Sequence, residues 1–296
     1  MKDQYPAISL GQLCRLLGIT RQAFYQHFWH LSDITVEHHL ILKQVHQLRQ
    51  LHPVMGGRKL YYLLQDFLLE HQIKIGRDAL FDLLAANKLL VRKRRRRIST
   101  TQSHHWLKKY TNLIKDWKPS APHQLWVADI TYVPTKAGFL YLSLLTDAYS
   151  HKVVGYNIAS NLEALHTSKA LQMALASYQL TSTPLIHHSD RGIQYCSTEY
   201  VNLLKQNNIQ ISMTENGDPR ENAVAERING IIKNEYLKHY NIENEQQAST
   251  LLQQIINRYN QLRPHQSLNL LTPHKVHEEQ LLVNRNWSRK INSVTL

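Results

Sequence analysis

The sequence predicts two kinds of architecture in one chain: an α/β body with a mixed central sheet and helices on both faces, preceded by an all-α region. Three observations predict this. Leucines recur at helical spacing between glycine breaks through the first 91 residues, β-branched and aromatic residues alternate in short runs from Gln124 onward, and charge is shared unequally. Residues 1–120 hold 20 Lys and Arg against 8 Asp and Glu, a net +12, whereas residues 121–296 carry only +1. A basic front joined to a nearly neutral body implies a front that grips phosphate backbone and a body that does chemistry. At 296 residues with 43% hydrophobic content, the chain can furnish a core for each.

Residues 1–45 read as a helix-turn-helix segment. Leu10, Leu13, Leu16 and Leu17 mark one helix, Gly18 breaks it, and Thr20 is placed to cap a second helix whose first residues, Arg21 and Gln22, are candidates for the major groove. Residues 46–97 repeat the theme. Gly56 and Gly57 open a helix with the stripe Leu60, Leu63, Leu64 and Phe67, and Gly76 separates it from one bearing Leu80, Leu83 and Leu84, with Arg77 as a candidate DNA contact. This module ends in the densest charge on the chain: Arg92, Lys93, Arg94, Arg95, Arg96 and Arg97. Six adjacent cations repel one another and join no core, so the run is expected to stay extended until it meets a polyanion. Were all six to meet duplex phosphates, log K against log salt would steepen by about −5. A linker, 98–120, leads through Pro119 and Pro122 into the body at 121–280, and a tail follows at 281–296.

Within the body, three strands are expected to end near Pro134, Thr146 and Ile158, followed by a helix over about 162–178, a fourth strand ending at Asp190, a helix over 198–206, a fifth strand at IQISM, and a last long helix. Three carboxylates stand out by context rather than by spacing, since an Asp and a Glu with 35 residues between them arise easily among 22 acidic residues. Asp129 lies in the alternating run QLWVADITYVPT, on one face with Leu125, Val127 and Thr131. Asp190 ends PLIHHSD, and Glu226 sits in the helical pattern ENAVAERINGIIKNEY. A carboxylate pointing from a central strand is costly unless a partner or metal neutralises it. Asn222, Glu226, Asn229 and Lys233 form a polar stripe on the last helix, opposite Val224, Ile228, Ile231 and Ile232. The arrangement strand, strand end, helix suits three hard oxygen donors for two Mg²⁺ ions, with Lys233 and Arg191 near a scissile phosphate. Asp147 reads instead as a turn carboxylate, and TENGDPRENAVA, with Gly217 and Pro219, as a mobile loop before the helix. In YNQLRPHQSL, Tyr259, Arg263 and His265 are candidates either for DNA contact, Arg263 above all, or for packing against the core.

The segments WVADITY, HHSDRGIQY, DPRENAVAERINGIIKNEY and YNQLRPHQSLNLLTP resemble the second-frame, integrase-core transposases of the bacterial insertion-sequence family numbered three. The resemblance covers nearly the whole chain. It implies a ribonuclease-H-like core shared with retroviral integrases, a DDE triad at Asp129, Asp190 and Glu226, and Lys233 as the basic residue of the final helix. It further implies DNA cleavage and strand transfer at an element's terminal inverted repeats and in target DNA. The expected assembly is a homo-oligomer, at least a dimer on DNA, in some members joined by an upstream-frame protein. The alternatives are a DNA-binding regulator, which would need the basic front but no triad, and a ribonuclease of the same core.

Cys14 and Cys196 are isolated and outside any CxxC unit, which argues for a reducing compartment, and no Cys/His spacing among the 18 histidines suits zinc. The start MKDQYPAISL lacks a signal-peptide core and no run reaches the roughly 18 apolar residues of a membrane span, so a cytoplasmic, nucleoid-associated protein with no membrane partner is expected.

Overall fold

The computed structural model describes residues 9–91, 106–115, 117–136, 138–178, 183–215 and 222–283, apart from the side chains of 27–35. The basic run Arg92 to Arg97, the glycine-proline part of the expected loop (216–221) and the segment after 283 lie outside the described residues. The chain divides into two compact units, Met1–Gln50 with Gly56–Val91, and Leu51–Met55 with Arg92–Leu296.

The first unit is helical. Helix α1 (Leu10–Leu16) starts from a capping box in which Ser9 and Gln12 satisfy each other's backbone N–H groups. Gly18, at φ +68°, ends the turn, as only a residue without Cβ does at low cost. Thr20 Oγ1 then accepts from Ala23 N at 3.0 Å to open α2. The long helix α2 (Arg21–Leu51) runs without interruption through residue 45, where the sequence suggested a boundary. Of the expected stripe on α1, Leu16 and Leu17 are exposed and Cys14 is the buried residue. Helices α3 (Gly57–Leu63), α4 (Gln65–Glu70) and α5 (Arg77–Ala86) bury Leu60, Leu64, Leu68, Leu80 and Leu84. Gly57 is required here, because a Cβ would lie 2.7 Å from the Phe81 ring.

The second unit is built on five strands: β1 (Leu125–Thr135), β2 (Gly138–Asp147), β3 (Val153–Ala159), β4 (Ile186–Ser189) and β5 (Gln210–Met213). Their spatial order is β3-β2-β1-β4-β5. The first three are antiparallel neighbours, while β4 and β5 join in parallel through helical crossovers. One face packs α6 (Ala164–Ala176), α7 (Ile193–Cys196) and α8 (Thr198–Gln206). Trp126, Ala128 and Leu145 of the sheet meet Leu171, Tyr195, Tyr200 and Leu204 there. The other face packs α9 (Ala223–Ile231), a π-helical turn (Ile232–Tyr236) and α10 (Glu245–Leu262), with Leu140, Leu142 and Leu144 against Ile228, Ile231, Ile255 and Tyr259. A short α11 (Pro273–Glu278) closes the described chain. This is the ribonuclease-H-like arrangement that the sequence implied: a mixed sheet between helical layers.

Both sheet edges are capped. On β3, the Asn260 amide pairs with both the N–H and the C=O of Val153, each at 3.0 Å, and Glu245 accepts from Ser160 N at 2.9 Å. On β5, the linker supplies Thr111 O to Met213 N, and Ser212 Oγ accepts from Leu113 N at 2.9 Å. Asp147 is buried and accepts from the backbone of His123, Tyr149 and Ser150, the structural turn role expected of it. No described helix is long and apolar enough to cross a membrane.

Candidate active site

Strand register brings the first two carboxylates together. β1 and β4 pair in parallel, with Trp126 opposite His187 and Val127 opposite His188. Two steps further, Asp129 is level with Asp190, the residue that follows β4, and adjacent strands lie about 4.8 Å apart. The Asp129 side chain falls on the face that carries Val127, where α9 crosses, and the charge of Asp190 acts on it. Asp190 is shaped by its own turn: Oδ1 accepts from Gly192 N at 2.9 Å, and a Cβ on Gly192 would itself lie 2.9 Å from that oxygen. His188 Nδ1 bonds Ser212 Oγ at 2.8 Å and ties β4 to β5 immediately before the carboxylate.

Helix α9 is fastened along β1 by its polar stripe. Asn222 Nδ2 donates to Ala128 O at 2.9 Å, Asn229 Nδ2 donates to Asp129 Oδ2 at 2.8 Å, and Lys233 Nζ reaches Thr131 Oγ1 at 3.4 Å. Glu226, one turn before Asn229, is in the first turn of the helix and exposed to solvent. The three carboxylates interact electrostatically. Burial pushes the Asp129 carboxyl up to about 7, Asp190 and Glu226 add to the rise, and the Asn229 amide opposes it. Burial lowers the Lys233 ammonium.

Among the described residues, no three acidic, histidine or cysteine side chains converge on a single ion-sized point. The donor chemistry nonetheless fits a hard divalent cation. A largely buried aspartate has a neutral amide for its side-chain partner and two further carboxylates near it, so the ionised form gains from a shared positive charge. The buried Oδ1 atoms of Asn222 and Asn229 have no hydrogen-bond partner and flank the same strand. Neither Asn was assigned a role from the sequence beyond membership of the stripe. Their positions four before and three after Glu226 were the available signal.

The remaining sequence candidates are dispersed. Arg191 is half-buried beside Asp190, while Arg21 and Gln22 are exposed at the start of α2. Arg77 is exposed and forks onto Asp78 at 2.8 and 3.2 Å. Arg263 must be corrected as a DNA contact: its side chain is 2% exposed and bound to Glu235 and His265, inside the body rather than on it. Tyr259 and His265 are buried with it.

Family comparisons agree with this geometry. Two models described as integrase core domain match residues 119–219 and 207–273. A 31 kDa protein of insertion element IS600 from Shigella sonnei is 35% identical over 88% of this chain and 96% of its own length. The transposase of insertion sequence IS629, also from Shigella sonnei, is 30% identical over 79% of this chain and 78% of its own. Transposase InsF of insertion sequence IS3A from Escherichia coli K12 is 34% identical over 60% of this chain and 62% of its own. With an integrase core on a ribonuclease-H-like sheet and relatives aligned along most of its length, the chain belongs to the IS3-type transposases of bacterial insertion sequences.

Proposed function

We propose that Asp129, Asp190 and Glu226 are the catalytic carboxylates of this transposase and hold two Mg²⁺ or Mn²⁺ ions while DNA strands are cut at the element's ends and joined to a target. The observation that carries the reading is the β1–β4 register, which levels Asp129 with Asp190 beneath the helix that bears Glu226. Such ions, when bound, activate an attacking oxygen and stabilise a leaving oxygen in an in-line displacement at phosphorus. The attacking groups are water in cleavage and a DNA 3′-hydroxyl in joining. The protein's own part is positional and electrostatic. Asn229 fixes Oδ2 of Asp129, and the backbone of Ile130 adds a second hydrogen bond to the same carboxylate. The turn closed by Gly192 N fixes Asp190, and the Lys233 ammonium, with Arg191, gives phosphate oxygens a cationic wall.

The helical unit and the basic run 92–97 grip duplex DNA, with Arg21, Gln22 and Arg77 as contacts, and joining two ends on one target calls for at least two copies. Asp190→Asn tests the assignment. The variant is expected to bind a labelled element end as the parent does while losing nicking and joining in Mg²⁺ by on the order of a thousandfold or more. Retention of joining within about tenfold would remove Asp190 from the mechanism.

A further inference from the structure

We propose that Arg263 is a positioning residue for the transfer reaction, acting through the π-helical turn to hold Lys233 against β1. The inference rests on reading Asp129, Asp190 and Glu226 as the reaction centre.

The catalytic helix does not end as an α-helix. Directly after Ile231 it widens into a π turn over Ile232–Tyr236, and Lys233 is the second residue of that turn. Wide turns of this kind are rare, have poorer geometry than α and persist where surrounding structure holds them. Two anchors hold this one. Tyr236 hydroxyl bonds His52 Nδ1 at 2.7 Å. Glu235 Oε2 receives two N–H groups of Arg263, Nη2 at 2.7 Å and Nε at 3.2 Å, across 28 residues of sequence.

Arg263 is placed for that role. Its side chain is 2% exposed and cannot meet a phosphate. Nη1 donates to His265 Nε2 at 3.1 Å, and the His265 ring packs edge-on against Tyr259 and His151, so the guanidinium sits in a fixed frame. A buried guanidinium is costly unless a carboxylate answers it. The chain accepts that cost in LRPHQ, at the C-terminal end of α10, and directs the charge at the turn that carries Lys233. Lys233 Nζ then lies 3.4 Å from Thr131 Oγ1, on the strand face that carries Asp129. Relaxation of the turn to α geometry would rotate its side chains about the helix axis and draw Lys233 away from that face.

The test is a double-mutant cycle of Arg263→Gln and Lys233→Gln, read as single-turnover strand transfer at saturating DNA and as Kd for an element end. Arg263→Gln is expected to slow transfer about tenfold with Kd within about twofold, and Arg263→Lys to recover most of the rate. In the Lys233→Gln background, Arg263→Gln should then slow transfer by less than about twofold. Losses that multiply instead, or that vanish when the assay is run well below the variant's Tm, would show that Arg263 merely holds the fold. If Arg263→Gln does not fold, the cycle is run with Glu235→Gln, with the same two outcomes. Asp190→Asn, run alongside, keeps the issues apart: full transfer by that variant would sink the carboxylate reading, whereas an inactive Asp190→Asn with a multiplicative cycle would sink only the role of Arg263.

Discussion

At the scale of single residues, the site depends on two hydrogen bonds made by neutral groups. The Asn229 amide holds Asp129 Oδ2, and Gly192 N holds Asp190 Oδ1. Groups that orient metal-binding carboxylates typically contribute 10–100-fold to affinity or activity. Asn229→Ala is therefore expected to lower strand transfer by about that factor and to raise the Mg²⁺ concentration needed for half-maximal rate, while Kd for DNA holds. An unchanged Mg²⁺ titration would show that Asp129 keeps its orientation without the amide. Asp129 stands out in the sequence as a candidate because it interrupts an apolar alternation that has no other use for a charge, and the structure places it largely buried with Asn229 as its partner. Arg263 was legible only in part: packing against the core stood beside DNA contact as a reading, and the partner that decides between them, Glu235, is remote in sequence.

At the scale of elements, β3 and α6 approach each other closely at Gly155. A Cβ on Gly155 would lie 2.1 Å from the carbonyl oxygen of Ala170, so the helix can rest on the strand only where a side chain is missing. Gly155→Ala is expected to destabilise the protein by about 2–3 kcal/mol or more through displacement of α6. Gly230→Ala in α9, where nothing lies within 4 Å, should instead gain roughly 0.5–1 kcal/mol of helix propensity. Equal Tm values for the two variants would contradict this account. The five strands and most helices follow from alternation, helical spacing and caps such as Thr20, and they lie where the sequence put them. The helix α10 was missed apart from its last residues. Its buried positions, Ala248, Leu252, Ile255, Ile256 and Tyr259, fall at helical spacing behind the Asn244 cap, so the signal for this helix does stand in the sequence among its glutamines, serines and threonines. The π turn was beyond reach, since hydrogen-bond register inside a helix leaves no mark on residue spacing.

At the scale of the whole molecule, charge and burial set the working conditions. His187 and His277 are both buried and held down to about 3, burial being the main cause in each; His187 bonds Tyr200 and His277 bonds Ser150. Their ordinary value is 6.5, so between 6.5 and about 3 the unfolded chain binds protons that the folded chain refuses. The contribution of each histidine is therefore complete above 6.5 and is lost as the pH drops toward 3, by up to about 1.4 kcal/mol per pH unit, whereas the raised Asp129 carboxyl acts with the opposite sign below about 7. Thermal melts from pH 7.5 to 4.5 should show the histidine part as a difference, His187→Gln losing less stability on acidification than the parent; identical slopes would discount His187. DNA affinity is expected to depend on salt more through the run at 92–97 than through any other segment, and neutralising its six cations should flatten log K against log salt by about 5. A change below about 1 would mean that the run does not touch the duplex.

The side-chain amide on Val153 and the linker along β5 have a consequence for crowding. Exposed strand borders are templates on which neighbouring molecules zip together backbone to backbone. Here Asn260 and Glu245 occupy the two ends of one border and the linker meets the other at Ser212 and Met213, so less of either is open to backbone pairing between neighbouring molecules.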